Sequence, residues 1–322
     1  MYDMGTIRLV CPTPSETTRG TSFINSLMHF LSPFDRDWLV GLLEADGSFS
    51  CTRSPHTSKI QLAIKLTQHP SNIRALVAVK KLLRTGKIEH ISSANTRFCG
   101  AQRDKRSTSF RGKQAMLRTC VYRIRKHHVL RTHVFPFFDT APFMTSKYYE
   151  YLRLQKYVTQ KTFFKWQNHP SRLSPRWGEV LGPNKLQTFL QTNGLKKKDA
   201  ENLLSPGWLT GFIEGDGSFY IVKKAENRYS CGFGLTQKHG KYLLEGIRSY
   251  FGIQARVKQH ASFPHVWCLD TTSKKQAQLL ASYFKGRFKG KTSLRFRVWA
   301  RALHVLDQPT KMQKIQAILR KI

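Results

Sequence analysis

Residues 37 to 50 read DWLVGLLEADGSFS, and residues 207 to 220 read GWLTGFIEGDGSFY. Laid over each other they share Trp38/Trp208, Leu39/Leu209, Gly41/Gly211, Glu44/Glu214, Asp46/Asp216, Gly47/Gly217, Ser48/Ser218 and Phe49/Phe219. Eight identities in fourteen positions, with both acids in register, mark an internal repeat. The register continues downstream, where KLTQH at 65 to 69 answers GLTQK at 234 to 238. Gln68 follows Asp46 by 22 residues and Gln237 follows Asp216 by 21. The chain is therefore two copies of one unit.

Working outward from each copy gives the order helix, hairpin, helix, hairpin, helices. The first copy is expected to be a helix opened by Pro33, capped by Asp35 or Asp37 and ended by Gly47. Strands are expected at 48 to 53 and 59 to 68. In the second of these Ile60, Leu62, Ile64 and Leu66 alternate with Lys59, Gln61, Ala63, Lys65 and Thr67. That period of two puts one face in a core and leaves the other polar and basic. A helix should run from Pro70 to about Arg84, with Ile73, Leu76, Val77, Lys80 and Leu83 at helical spacing, then strands at 87 to 91 and 118 to 126. Between them, residues 92 to 115 read as a basic hairpin loop, either solvated or a nucleic-acid-contacting arm. Helices are expected at 127 to 135 and 145 to 160. In the second copy strands are expected at 218 to 224, 229 to 237, 253 to 259 and 264 to 270. Helices are expected at 239 to 251, 273 to 284, 291 to 306 and 311 to 320. The implied organisation is a tail at 1–33, a first domain at 34–160, a linker at 161–205 with a short helix near 185 to 191, and a second domain at 206–322.

Composition narrows the partner. The chain has 322 residues and 40% hydrophobic content, enough for two packed cores. Lys and Arg outnumber Asp and Glu by 54 to 19, a net charge of +35. Such an excess repels itself unless a polyanion neutralises it, and nucleic acid does so with counterion release. A ribosomal-type or membrane-surface protein would share the charge but not the repeated acids. No stretch has the 18 or so apolar residues of a membrane span, so no membrane is expected. Cys11, Cys51, Cys99, Cys120, Cys231 and Cys268 form no C-x-x-C pair and read as reduced thiols. The adjacent His127 and His128 are expected on solvent rather than on a metal. The N-terminus resembles neither a secretory signal nor a strong transit peptide.

The repeated helix carries two separable signals. Gly41 and Ala45, and equally Gly211 and Gly215, lie four apart on one face. Such stripes let two helix backbones approach closely, either each other or the sheet beneath. Each helix also finishes on an acid, Asp46 or Asp216, at the negative end of its dipole. Two such helices side by side bring the carboxylates together, which raises a pKa or demands a cation. A local rule broken twice in the same way points to function. Aspartate oxygens suit Mg²⁺, which takes one or two carboxylates with water and phosphate oxygens, and such a site hydrolyses phosphodiesters. Glu44 and Glu214 point about 200° away around the helix and read as caps or ion-pair partners rather than metal ligands.

LVGLLEADG (39 to 47) and LTGFIEGDG (209 to 217) resemble the two motifs of a single-chain LAGLIDADG homing endonuclease of the intron-encoded type. The family's first acid is usually Asp, and Glu44 and Glu214 depart mildly from it. The resemblance implies an α+β fold of two pseudo-symmetric αββαββα halves. Their motif helices would pack at the interface, and two antiparallel sheets would form a DNA-binding saddle. It implies metal ligation by Asp46 and Asp216. Gln68 and Gln237 match the family's glutamine near the scissile phosphates. Lys147, with Lys291 as its second-half candidate, matches its basic residue. The polar strand faces then become major-groove readers: Ser50, Thr52, Lys59, Gln61 and Lys65 in one half, and Tyr220, Val222, Lys224, Arg228 and Ser230 in the other. The implied activity is Mg²⁺-dependent cleavage of both strands of a long asymmetric double-stranded DNA target by a monomer. The alternative is an RNA-binding maturase that acts on its host intron. The family implies an organelle-encoded protein, in the mitochondrion or alternatively the chloroplast.

Overall fold

The computed structural model describes residues 32–53, 59–91, 119–139, 143–160 and 196–322. The expected tail, the basic loop and most of the expected linker, including its short helix, lie outside these residues.

The first motif lies in α1 (Pro33–Asp46), which runs straight into β1 (Gly47–Arg53) and returns through β2 (Ile60–Gln68). A single 3₁₀ turn at Pro70–Asn72 leads to α2 (Ile73–Leu83), then β3 (Lys87–Ile91) and β4 (Thr119–Ile124). The half closes with α3 (His127–Val129), a π-helical turn at Leu130–Val134, α4 (Phe135–Asp139) and α5 (Lys147–Gln160). After α6 (Lys197–Leu203) the order repeats: α7 (Pro206–Asp216), β5 (Gly217–Ala225), β6 (Arg228–Lys238), α8 (Lys241–Phe251), β7 (Lys258–His260) and β8 (Phe263–Thr271). The helices α9 (Lys274–Phe284), α10 (Lys291–Ala302) and α11 (Pro309–Lys321) follow.

Each half holds one antiparallel four-stranded sheet, in the orders β1-β2-β4-β3 and β5-β6-β8-β7. The registers correspond, since Gly47 faces Leu66 and Gly217 faces Leu235. The helices cover one face of each sheet. The repeated phenylalanine is the hub of each core. Phe49 meets Phe138, Phe143 and Tyr151 at 5.7–5.8 Å between ring centres. Phe219 meets Phe288, Phe296 and Trp299 at 5.0–5.7 Å. Edge-to-face geometry of this kind adds to the burial of the rings.

The two halves join where α1 crosses α7, and here the small-residue stripe is decisive. A Cβ on Gly211 would run into the Trp38 carbonyl oxygen, with Leu42 N and Trp38 C also at 2.8 Å. A Cβ on Gly41 would likewise meet the Trp208 carbonyl, with Phe212 N at 2.8 Å. The stripe therefore serves the helix pair and not the sheet. Leu42, Leu43, Phe212 and Ile213 are buried on its flanks, as expected.

Several local expectations differ from the structure. The cap of α1 is Ser32, whose Oγ accepts from Asp35 N at 3.1 Å, so Asp35 and Asp37 sit inside the helix. Ser205 caps α7 in the same way, also ahead of a proline at the first helical position. Val77 is exposed, and Ala75 and Val79 take the core positions of α2 instead. Only Lys258–His260 forms a strand where 253 to 259 was expected, because Gly252 turns left-handed (φ 62°) and the chain bends before pairing. The helix expected at 291 to 306 ends at Ala302. Lys197–Leu203, expected within the linker, is helical and packs on α8.

Candidate active site and nucleic-acid interface

The C-terminal ends of α1 and α7 bring Asp46 and Asp216 to the seam between the two sheets. Asp46 reaches across the seam, and its Oδ2 would stand 3.0 Å from a Cβ on Gly215. Burial pushes both carboxyls above their ordinary value. Asp216 reaches about 6, with the neighbouring Asp46 charge as the second cause. Each carboxylate accepts one glutamine hydrogen bond, Gln68 Nε2 to Asp46 and Gln237 Nε2 to Asp216, both at 2.6 Å. The repeated Asp and Gln positions are thus brought into contact, once in each half.

Glu44 and Glu214 are buried, and neither faces the carboxylate pair. Trp38 Nε1 donates to Glu214 and Trp208 Nε1 donates to Glu44, each at 2.7 Å, so the two helices exchange identical bonds. Glu44 also accepts from the backbone of Met144 at 2.8 Å and of Thr145 at 2.6 Å. Glu214 accepts from Lys289 N at 3.0 Å and from Gly290 N. Both glutamates do cap, as expected, but they cap the chain entering α5 and α10. Burial raises their pKa values, and these donors oppose the rise. The Trp–Glu exchange escaped sequence reasoning because a tryptophan in an apolar stretch reads as core.

These matched caps fix the correspondence of the halves. Met144 and Thr145 stand where Lys289 and Gly290 stand, so Lys147 corresponds to Thr292, one residue beyond Lys291. Lys147 Nζ donates to Ala45 O at 2.7 Å and Leu43 O at 3.3 Å, beneath both aspartates. Burial lowers its pKa, while Asp216, Glu44 and Asp46 push it back up. Thr292 Oγ1 instead donates to Glu214 O at 3.0 Å. The structure does not bring the Lys291 side chain into this cluster. Its backbone N–H bonds Asn72 Oδ1 at 2.7 Å. Asn72 Nδ2 in turn donates to Gln68 Oε1 at 2.8 Å, linking α10 to the Asp46 carboxylate. Asn72 was not singled out from the sequence. It falls in the first turn of the helix expected from Pro70, where an asparagine carries no signal of a contact to a distant element.

The sheet faces turned away from the helices hold most of the expected readers. Ser50, Thr52, Gln61 and Lys65 share that face of the first sheet, and Lys59 precedes β2, exposed. Ser50 spends its donor on Ala63 O at 3.1 Å. Tyr220, Val222 and Ser230 share the same face of the second sheet, with Lys224 and Arg228 exposed where the hairpin slips register. The pairing adds Lys87, Glu89, Arg123, Gly232, Gly234, Thr236 and Asp270 to these faces. Lys87, Glu89, Arg123 and Asp270 lie on the second hairpin of each half, and Gly232, Gly234 and Thr236 on the length of β6 beyond Ser230, whereas the expected readers come from the first hairpins and end at Ser230. No described helix is long and apolar enough to cross a membrane.

Two sheets joined by a close helix pair that ends in paired aspartates define a double-motif α+β nucleic-acid enzyme. The chain belongs to the LAGLIDADG endonuclease family, whose model matches residues 39–110 and 209–303. It is 29% identical over 296 residues to the probable intron-encoded endonuclease Cox1-I1b of Schizosaccharomyces pombe, covering 88% of this chain and 68% of that protein. The fold is shared with I-SmaMI bound to an uncleaved DNA target in the presence of calcium ions (TM-score 0.61, 19% identity, 89% and 98% of the two chains). It is equally shared with the I-SmaMI LAGLIDADG homing endonuclease bound to cleaved DNA (TM-score 0.62, 20% identity, 89% and 96%).

Proposed function

We propose that this protein is a site-specific endonuclease that binds a long asymmetric DNA duplex across its two sheets and hydrolyses one phosphodiester on each strand. The observation that carries this is the pairing of Asp46–Gln68 with Asp216–Gln237 at the seam of two open sheet faces. Family membership supports it, as do the DNA complexes of I-SmaMI. The two halves, 34–160 and 206–322, would each follow one half-site. The test is incubation of the protein with a plasmid carrying the intron-less junction of its own gene. Linear product should appear only with a divalent cation and the intact junction. The asymmetry of the halves favours a monomer, and mass measurement of the DNA complex checks it.

The donor set fits a hard divalent cation such as Mg²⁺. It offers two carboxylates raised by burial, Asp216 also by the charge of Asp46, and Asp and water oxygens suit that ion. No group of three or more His, Cys, Asp or Glu able to hold a metal occurs among the described residues. Asp46 and Asp216 would therefore hold the ion with phosphate and water completing its shell. When bound, it would lower the pKa of water and neutralise charge growing on the phosphate. Gln68 and Gln237 orient the carboxylates, and Lys147 lends positive charge to the cluster. The relative is intron-encoded, which supports our reading of this chain as the product of an organellar gene, with the mitochondrion as the proposed compartment. The chloroplast is the alternative.

The raised acid gives a pH prediction. Asp216 titrates near 3.8 unfolded and about 6 folded. Without metal its contribution to stability is complete below the lower value and is lost as pH rises towards the upper. Divalent metal binds the ionised form. Thermal melts with and without Mg²⁺ should diverge above about pH 6 and coincide below it. A metal-induced shift that is equally large at pH 5 would remove Asp216 as the ligand.

Among the described residues Lys147 interacts with both aspartates while Thr292 stands at its counterpart, which predicts ordered cleavage. Strand-labelled DNA should pass through a nicked intermediate. Lys147→Met should slow the faster strand by about 100-fold, and Thr292→Lys should shorten the life of the nick. Equal strand rates in the wild type, with Thr292→Lys silent, would show that the lysine does not set the order. The RNA maturase remains the second reading, favoured by the net charge of +35. Splicing of the host intron by an Asp46→Asn/Asp216→Asn protein is its test.

A further inference from the structure

Four positions on the open face of the second sheet are built as one unit. Tyr220 of β5 lies across β6, and its ring occupies the space where a Cβ on Gly232 would go. Gly234 is the next residue on that face, where a Cβ would make ordinary contact at 3.6 Å with both the Tyr220 ring and Asp270 Oδ2. Asp270 stands opposite Gly234 on β8, and the Tyr220 phenol donates to its Oδ1. A glycine such as Gly232 weakens a strand unless something needs the room. Here the room holds an aromatic ring that fixes a carboxylate two strands away.

The first half fills the same four positions with opposite chemistry. By sheet register Ser50 corresponds to Tyr220, Ala63 to Gly232, Lys65 to Gly234 and Arg123 to Asp270. Two cations there face a phosphate-rich partner. In the second half an acid faces it, although the chain has only 19 acids. Glu89, the acid on the open face of the first sheet, is paired with Arg123 at 2.8 Å. Asp270 is exposed, and no Lys or Arg nitrogen lies within 4 Å of it among the described residues. Burial and the neighbouring Asp270 push the Tyr220 phenol well above its ordinary pKa, so it remains a donor.

We propose that Asp270, positioned by Tyr220 across Gly232 and Gly234, is a specificity determinant that requires cytosine at one base pair beneath the second sheet. A carboxylate only accepts hydrogen bonds, and the major-groove edge of cytosine offers the N4 amino donor. Guanine O6 and N7 and thymine O4 are acceptors and repel it. Adenine sets its N7 acceptor beside its amino group. Oδ1 is held by Tyr220, which leaves Oδ2 for the base. The same logic makes Lys65 and Arg123 partners for guanine in the first half-site. This inference rests on the DNA-endonuclease reading and deepens it.

The test is selection of bound sequences from a randomised duplex library in Ca²⁺, followed by binding titrations on single-base variants. The wild type should enrich one sequence with cytosine fixed at one position of the second half-site. Asp270→Asn should lose that preference alone, by roughly 10- to 100-fold in discrimination. Tyr220→Phe and Gly232→Ala should relax the same position and no other, with melting temperatures near the wild type for Asp270→Asn and Tyr220→Phe. An unchanged profile in Asp270→Asn, or an affected position that prefers guanine, thymine or adenine, overturns the assignment of Asp270. A wild type that enriches no sequence overturns the endonuclease reading as well.

Discussion

Asp46→Asn or Asp216→Asn should leave a protein that holds its DNA and no longer makes double-strand breaks. The expected loss in cleavage is about 10³-fold, with affinity in Ca²⁺ unchanged or slightly improved because one negative charge has gone. Asparagine keeps the shape of the side chain and can still meet Gln68 or Gln237 after an amide rotation. It cannot supply the charge that a cation needs, and in Asp46→Asn it removes the charge that helps to raise Asp216. The fold should therefore survive, and thermal melts should show equal or higher stability in the absence of metal. Single substitutions should also separate the strands, since each site retains one intact Asp–Gln pair. Cleavage of both strands at the wild-type rate by the double variant would end the catalytic assignment.

Gly211→Ala should be the most damaging single methyl group in the chain. Its Cβ would meet the Trp38 backbone carbonyl, with two further backbone atoms at 2.8 Å, and backbone cannot rotate away as a side chain can. The helices must separate, and separation also stretches the exchanged Trp38–Glu214 and Trp208–Glu44 bonds. Those glutamates are buried, so a lost donor leaves a carboxylate unsatisfied. A destabilisation of about 3 kcal/mol is expected, the upper end for overpacking. The control is Gly234→Ala, where the nearest atoms stand at 3.6 Å and the melting temperature should hold. Equal melting temperatures for wild type and Gly211→Ala would refute the close-packed seam.

What the sequence reveals depends on whether a position is governed by a period. Helix and strand periods carried the motif helices, β2, the paired glycines and the Asp–Gln spacing, because each of these is a matter of register along one element. The equivalence of Lys147 and Thr292 is not. It depends on where a loop delivers its chain to a buried glutamate, and no periodicity fixes that, so Lys291 lay one residue away. The Trp–Glu exchange and the Asn72 bridge run between elements far apart in sequence. The caps were nearer to hand. Ser-Pro precedes both motif helices, at 32–33 and 205–206, and the acids further in drew attention from it. Asp270 sits on the inner strand of the second hairpin, and only pairing partners show which way it faces.

The exchanged bonds carry a consequence for modularity. Each motif helix contributes one donor, one acceptor and one gap of the same kind, so the seam is chemically self-complementary. By donor and acceptor type alone, Trp38 could pair with the Glu44 of a second first half as it does with Glu214. At the end of the seam Ala45 faces Gly215, where a Cβ would stand 2.5 Å from that of Ala45, so two first halves would clash there. Further distinctions lie at the edges, in Lys289 reaching Asp35 at 2.7 Å and in Asn72 reaching the backbone of Lys291. Mixing halves between relatives would therefore preserve assembly readily, while correct pairing would have to be written into those peripheral contacts.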